Sequence, residues 1–585
     1  MTKKTSTHSF HIPVMGLAFT VDSPIKIAKY GISSVVSIVD DILIENMNSF
    51  YSEKYSLPFK KYSTKDPEAR SNRITSYLNN MDMIVKQKFH DFKLSLTEKK
   101  EALDNYLELL PDISEVKKSL LQMVENNTPK EVIQKWIQEN LVPGNIDVNI
   151  MTKLDNGRMH KNEALPSHYN DAHTALKGFA ESTLKSSIVL SAGMNPRLYS
   201  YFEQFEDFYP NEQEQLNKKI ILKVSDYRSA TIQGMFFAKK GLWVSEYRIE
   251  SGLNCGGHAF ATEGLLLGPI LDTFTENKQS LIENTFETYK AALEAKGKHV
   301  PSQPLDIEIT VQGGVGTAKE HQFLLDNYDV NSVGWGSPFL LVPEATTVDP
   351  DTLNVLSKAK EEDLYLSNIS PLGVPFNSVK GVSNDAYKLS KLENDNIGSP
   401  CPKKFLALNR DENGKSICTA SQKFQNAEIE KLKSEDLSTA QYKDKFKKIT
   451  EKSCLCIGLA NAGLIEHDID SKDKKAGVLV CPGPNIAYFD KKVSLKNMVQ
   501  HIYGQAANLT PISRPNMFVK ELEMYVQYFN EKIEQFKISP DKKQEKYLNK
   551  FSTNLNEGIL YYKSIFKDAE FISSFSTLEG KLQTF

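Results

Sequence analysis

The chain lacks an excess of positive charge, a long apolar run and a cysteine framework, and each lack removes a class of function. Its 71 Lys and Arg are offset by 74 Asp and Glu, a net charge of −3, so no global field exists to hold a nucleic acid. No run of about 18 apolar residues occurs, so no membrane span is expected. Two lysines near the N-terminus, Lys3 and Lys4, are not followed by an apolar stretch, so the segment does not read as a secretory signal. Six cysteines in 585 residues do not make a disulfide scaffold, and a reducing cytoplasm is the expected setting. His-Glu-x-x-His and Gly-x-Ser-x-Gly are missing. Gly414-Lys415-Ser416 has Asn409 where a phosphate loop needs its first glycine, and it reads as a surface turn.

The composition that remains is that of a globular protein, 40% hydrophobic and 25% charged, and the length calls for two or three domains. Eight short apolar segments rich in β-branched residues read as strands: 13–17, 34–39, 146–151, 187–192, 220–225, 242–247, 307–312 and 332–336. Helix-length segments separate most of them. Alternation of this kind implies a parallel sheet, and eight units fit a closed (β/α)8 TIM barrel of the α/β class. Asp22-Ser23-Pro24 offers a helix cap followed by proline.

The expected barrel occupies 1–40 and 141–380. Residues 41–140, charged and helix-favouring, form a helical insertion after the second strand, a lid, an oligomer contact or a packing appendage. Residues 381–585 form a mainly helical C-terminal region. Within it, 383–395 and 409–416 read as polar loops and 421–451 as charged helix. Aromatics recur at helical spacing in 517–536 and 547–566, a pattern more often core than ligand box.

Three glycine-bearing turns fall at strand ends, where barrels place their chemistry. Glu250-Ser251-Gly252-Leu253-Asn254-Cys255-Gly256-Gly257-His258 follows the sixth strand. Glycines let backbone approach a flat ligand, and a histidine after them can move a proton. A lone loop histidine is nevertheless structural or solvated more often than catalytic. Gly313-Gly314-Val315-Gly316 ends the seventh strand and Gly334-Trp335-Gly336-Ser337 the eighth. Backbone N–H groups there can cradle a dianion, although each could be an ordinary turn.

The order of these segments resembles that of nitronate monooxygenases and flavin-type enoyl-acyl carrier protein reductases, the 2-nitropropane dioxygenase-like superfamily. The matching residues are Glu250, Gly256-Gly257-His258, Gly313-Gly314-Val315-Gly316 and Gly336-Ser337-Pro338-Phe339. Pro13-Val14-Met15-Gly16 resembles the family's first strand, and Asp147-Val148-Asn149-Ile150 the strand whose asparagine contacts flavin. The chain departs from the pattern where 252–255 lengthen the turn and where Ser337-Pro338 replaces Thr-Arg. These departures point to a divergent subfamily with its own substrate.

The resemblance implies FMN, with its phosphate on Gly313, Gly314, Gly316, Gly334, Gly336 and Ser337, and its ring near Met15, Gly16, Asn149, Glu250 and Gly257. His258 is the expected acid or base and Cys255 a second candidate. Lys223, within the fifth strand, is unusual for this family. It would stabilise reduced flavin, or else pair with Glu246 or Glu250. The expected activity is an FMN-dependent oxidoreductase, monooxygenase or reductase, on a small-molecule or acyl substrate, with NAD(P)H or O2 as redox partner, as a homo-oligomer. Two other readings stand beside it: a non-flavin phosphate-binding barrel lyase or isomerase using Lys223 and His258, and a non-catalytic barrel scaffold. Cys401, Cys418, Cys454 and Cys456 form a cytosolic thiol group whose metal reading is an iron–sulfur cluster or zinc, against ordinary buried cysteines.

Overall fold

The computed structural model describes residues 7–160, 163–191, 193–255, 263–400, 403–538 and 540–583. Eight parallel strands close a barrel: β1 (Phe10–Ile12), β2 (Ser33–Ser37), β3 (Ile146–Ile150), β4 (Ser187–Leu190), β5 (Lys219–Val224), β6 (Val244–Glu250), β7 (Glu308–Gln312) and β8 (Ser332–Gly334). Each strand pairs with its sequence neighbour, and β1 closes on β8 through Phe10–Val333 and His11–Gly334. The buried β-branched residues of β2 to β7 account for their legibility, because strands covered on both faces read as apolar runs.

Two strand limits differ from expectation in ways that matter. β1 lies at 10–12, not 13–17. Pro13 has no N–H to give a ladder, so pairing stops before it and 13–17 lies beyond the strand. Gly16 there takes φ +61°. β6 runs on to Glu250, so that residue stands on the last rung of a strand instead of in the following turn.

Asp22 does not cap the short helix Ser23–Ile27. Its buried carboxylate accepts from Tyr51 Oη at 2.7 Å and Thr347 Oγ1 at 2.6 Å, and lies 3.0 Å from His467 Nε2. Burial pushes its pKa up, but Lys26, His467 and Thr347 together hold it well below the ordinary carboxylate range.

The helices Asp41–Tyr55 and Ala69–Glu98 open the insertion, and they serve two cores. Leu43, Ile44, Met47, Ile74, Leu78 and Met81 join the main core. Phe89, Leu96, Tyr106, Leu107, Leu120 and Ile137 form a second, smaller one with the helices Lys100–Leu107, Glu115–Glu125 and Lys130–Asn140. In the C-terminal region, Ser383–Glu393 is a helix instead of a loop, and Asn409–Arg410 pairs with Ser416–Ile417 in a hairpin. The helices Met517–Ile538 and Lys542–Ile565 bury Phe518, Tyr525, Phe529, Phe551 and Tyr562, each contributing about 1.5–3 kcal/mol of apolar burial. Their aromatic stripe is core. Among the described residues, no helix is long and apolar enough to cross a membrane.

Candidate functional site

The barrel interior is divided: Val14, Val35, Val189 and Ile221 form a small apolar cluster, and beside it stand polar and charged side chains where most barrels stack Val, Ile and Leu throughout. Inward positions alternate along each strand, so Glu246, Arg248 and Glu250 of β6 face the axis together. Arg248 Nε donates to Glu246 at 2.7 Å and its Nη2 lies 3.3 Å from Asp147 Oδ2. Thr310 also donates to Glu246. Burial pushes Asp147 up to about 7, Arg248 pulling against it and Glu246 adding to it. Burial and the nearby Arg248 hold His11 neutral, and its Nδ1 sits 3.0 Å from Ser332 Oγ.

One rung above, at the carboxyl end, Glu250 Oε1 gathers three donors. Lys223 Nζ lies at 3.3 Å, Asn254 Nδ2 at 2.7 Å and Gln312 Nε2 at 2.8 Å. Lys223 pairs with Glu250, not with Glu246, whose carboxylate already serves Arg248. The side chains of Lys223 and Glu250 keep 13% and 20% exposure, whereas Gln312 beside them and Asp147 and Asn149 on β3 are buried. Asn149 Oδ1 is buried without a hydrogen-bond partner, whereas the Gln312 amide faces the buried His11 imidazole. Unpaired buried acceptors are costly, and their occurrence at a barrel mouth marks a place for a donor-bearing ligand. A Cβ at Gly334 would meet Gln312 Cβ at 2.5 Å, so glycine there makes room for that amide.

The turn after β7 is built differently from an open cradle. Gly313 and Gly314 take φ of +110° and +87°. Beyond them, Glu320 Oε2 accepts from the Gly316 N–H at 2.9 Å and from the Thr317 N–H at 3.2 Å. Its other oxygen accepts from Arg514 Nη1 and the Met517 N–H, both at 2.7 Å. Arg514 also donates to Gly314 O at 2.8 Å and Asn485 Oδ1 at 3.0 Å. A carboxylate of the chain thus sits on amides the sequence offers to a phosphate. Gly313 and Gly336 remain partly exposed and Ser337 is buried. Gly483 packs onto Ser337 and the backbone of Asn254 and Cys255, where an added Cβ would come within 2.9 Å of Ser337 Oγ.

Met15 is fully buried and Gly16 partly exposed at the end of the β1 turn. Cys255 is buried, and its thiol donates to Cys481 O at 3.2 Å. Burial, then Cys481, raises its pKa well above the usual thiol range, so it stays a thiol. Gly256, Gly257 and His258 lie outside the described residues, as does Cys401. None of the other five cysteines forms a disulfide. Cys418 packs in a small cluster with Ala407 and Ala420, whereas Cys454 and Cys456 belong to the main core. Among the described residues, no three His, Cys, Asp or Glu side chains are grouped to hold a metal. The expected metal group of Cys418, Cys454 and Cys456 is therefore absent among them, and the thiols pack as small apolar side chains.

At the ring end of this mouth Asn149 offers an acceptor and Lys223 a cation, the polar groups that the hydrogen-bonding edge of a flat heterocycle would need. The phosphate end fits only in part, since Glu320 occupies the Gly316 amide and leaves Gly313 and Gly336 as the accessible positions. Sequence reading missed Arg248, Gln312, Asn254, Glu320 and Arg514. Thr317–Glu320 carried a capping-box spacing that could have revealed Glu320. The others depend on contacts far apart in the chain.

No family model matches the chain, and no curated protein matches it. Among solved structures, FabK from Thermotoga maritima is similar over 68% of this chain and 83% of its own, at 12% identity and a TM-score of 0.30. The enoyl reductase domain of MlnA from the macrolactin biosynthesis cluster of Bacillus amyloliquefaciens is similar over 73% and 86%, at 14% identity and a TM-score of 0.33. Likeness at that level carries no conclusion about chemistry. The barrel rests on its own strand pairing.

Proposed function

We propose that the chain is a cytoplasmic FMN-dependent oxidoreductase acting on a small organic or acyl substrate. The observation that carries this reading is the mouth itself: Lys223, Glu250, Asn254 and Gln312 form one bonded group, and Asn149 on β3 adds a buried, unpaired acceptor. FMN would be held with its ring edge toward Asn149, Gln312 and Lys223, and its phosphate toward Gly313 and Gly336. The flavin supplies hydride and electron transfer when bound. Glu250 fixes the direction of the Lys223 ammonium, so a positive charge stands ready where the ring edge gains negative charge. The Asp147–Arg248–Glu246 group lies buried beneath that edge, and the low dielectric of such a setting strengthens the effect of Lys223. His258 moves a proton to or from the substrate. Cys255, held as a donor to Cys481 O, shapes the turn and takes no part as a thiolate. NAD(P)H or O2 serves as redox partner. The test is to add NADH or NADPH under argon to the FMN-loaded chain: bleaching of the flavin bands supports the reading, and no bleaching with either nucleotide or an artificial donor opposes it.

One observation favours a second reading. Glu320 on the Gly316 and Thr317 amides is a built-in anion at the expected phosphate site. A non-catalytic barrel scaffold would need neither flavin nor phosphate there, whereas a phosphate-binding lyase or isomerase would need that site open. A chain that takes up no FMN supports the scaffold.

A further inference from the structure

Away from the barrel mouth, a cleft of about 440 Å3 opens between the insertion, the segment before β2 and the start of the helix Leu495–Ile502. Its volume falls in the range of small-molecule sites, about 300–1,000 Å3. Three aromatic rings form one wall. Tyr30 and Phe92 meet edge to face with centroids 5.3 Å apart, and Phe92 and Tyr106 do the same at 5.2 Å. Three lysines line the same cleft, and they are not equivalent. Lys26 is committed to Thr346 O, Thr347 Oγ1 and Asp22. Lys496 is paired with Glu108. Lys29 instead rests its ammonium over the Tyr30 ring, 4.8 Å from the centroid, and nearer the edge of reach of Phe92 at 5.9 Å. Among the described residues, no carboxylate lies within ion-pairing distance of it.

Lys88 stands one helical turn before Phe92, on the same face. Burial and the repulsion of Lys29 and Lys54 press its pKa down to about 8. Asp22 pulls the other way and Lys26 adds to the repulsion, so Lys88 stands in a locally positive potential. Glu344, the acid lining the cleft, is exposed, so water and salt screen it. A partly buried cation on an aromatic wall, beside others of its sign, is the chemistry that receives a negatively charged head joined to a ring.

We propose that this cleft is a binding site for a small organic anion with an aromatic body, its charged head on Lys29 and its ring against Phe92 and Tyr106. The site is separate from the barrel mouth and does not depend on what the mouth binds.

The probe is phenyl phosphate, titrated calorimetrically into the full chain, with inorganic phosphate and phenol as the two halves. Saturable one-site binding is expected, at least about tenfold tighter than phosphate alone, weakened by salt and reduced about tenfold or more in Lys29→Gln. Lys223→Met, at the barrel mouth, should leave it unchanged. The unsubstituted chain provides a second readout: phenyl phosphate should protect Lys29 from amine acylation, mapped by mass spectrometry. The proposal is overturned by an absence of saturable binding, by equal affinity for inorganic phosphate, by loss in Lys223→Met but not in Lys29→Gln, or by unprotected Lys29.

Discussion

Arg514 Nη1 lies 2.7 Å from Glu320 Oε1, and the two side chains keep only 4% and 2% exposure. A residue of the C-terminal region therefore neutralises the carboxylate that holds the glycine turn after β7. Breaking a buried pair by removing one partner costs about 3–5 kcal/mol, because the other charge stays buried. Arg514→Met should lower the onset of thermal melting markedly, and adding Glu320→Gln should recover part of the loss. Melting curves of the single and double variants check this; an unchanged onset in Arg514→Met would mean the pair is open to water.

Lys223→Met removes the cation at the mouth and leaves Glu250 with Asn254 and Gln312, so the fold should persist. On the proposed function, reduction of the FMN-loaded variant by its nucleotide donor should slow by roughly a hundred- to a thousandfold, the scale of losing one preorganised electrostatic group. Anaerobic stopped-flow absorbance measures it, and equal rates would remove Lys223 from the mechanism.

Elements whose residues find their partners nearby are legible in the sequence, and those that depend on distant partners are not. β2 to β7 declared themselves through their own buried apolar residues. The turn at 313–316 declared itself because left-handed φ at Gly313 and Gly314 is a local demand. Lys223 with Glu250 was one of two pairings the sequence left open. By contrast, Arg248 meets Asp147 across 101 positions and Cys255 meets Cys481 across 226, and nothing local announces either. β1 ends earlier than its apolar pattern suggests, because 13–17 is as apolar as a strand while Pro13 withholds the N–H that a ladder needs. Asp22 looked like a cap because capping residues also serve as buried acceptors, and Tyr51, Thr347 and His467 arrive from elsewhere in the chain.

Two buried acids give stability a definite pH dependence. Asp147 rises from 3.8 to about 7 and Glu521, buried beside Tyr562 and the Leu267 N–H, from 4.5 to about 7. Between these values the folded chain keeps protons that the unfolded chain releases, so their contribution is fully present below about pH 4 and lost as pH rises through about 7. Asp147→Asn should remove its share. The stability gap between that variant and the parent, read from urea midpoints at pH 5 and pH 8, should shift in the variant's favour at pH 8. A shift the other way would show that Asp147 is ionised in the folded chain.

Cys255 should be inert. Its thiol is buried, donates to Cys481 O and has a raised pKa, so the nucleophilic thiolate is scarce. Labelling of the native chain with a disulfide-exchange reagent, followed by peptide mapping, should find Cys255 unmodified until the chain unfolds. Rapid native labelling would return it to the list of redox candidates.

The most direct test of the account is a titration of FMN into the purified chain, followed by flavin fluorescence. The account predicts saturation at one FMN per chain, a shifted visible flavin spectrum and weaker binding in Lys223→Met. A chain that stays colourless and leaves the fluorescence of FMN unchanged would contradict it.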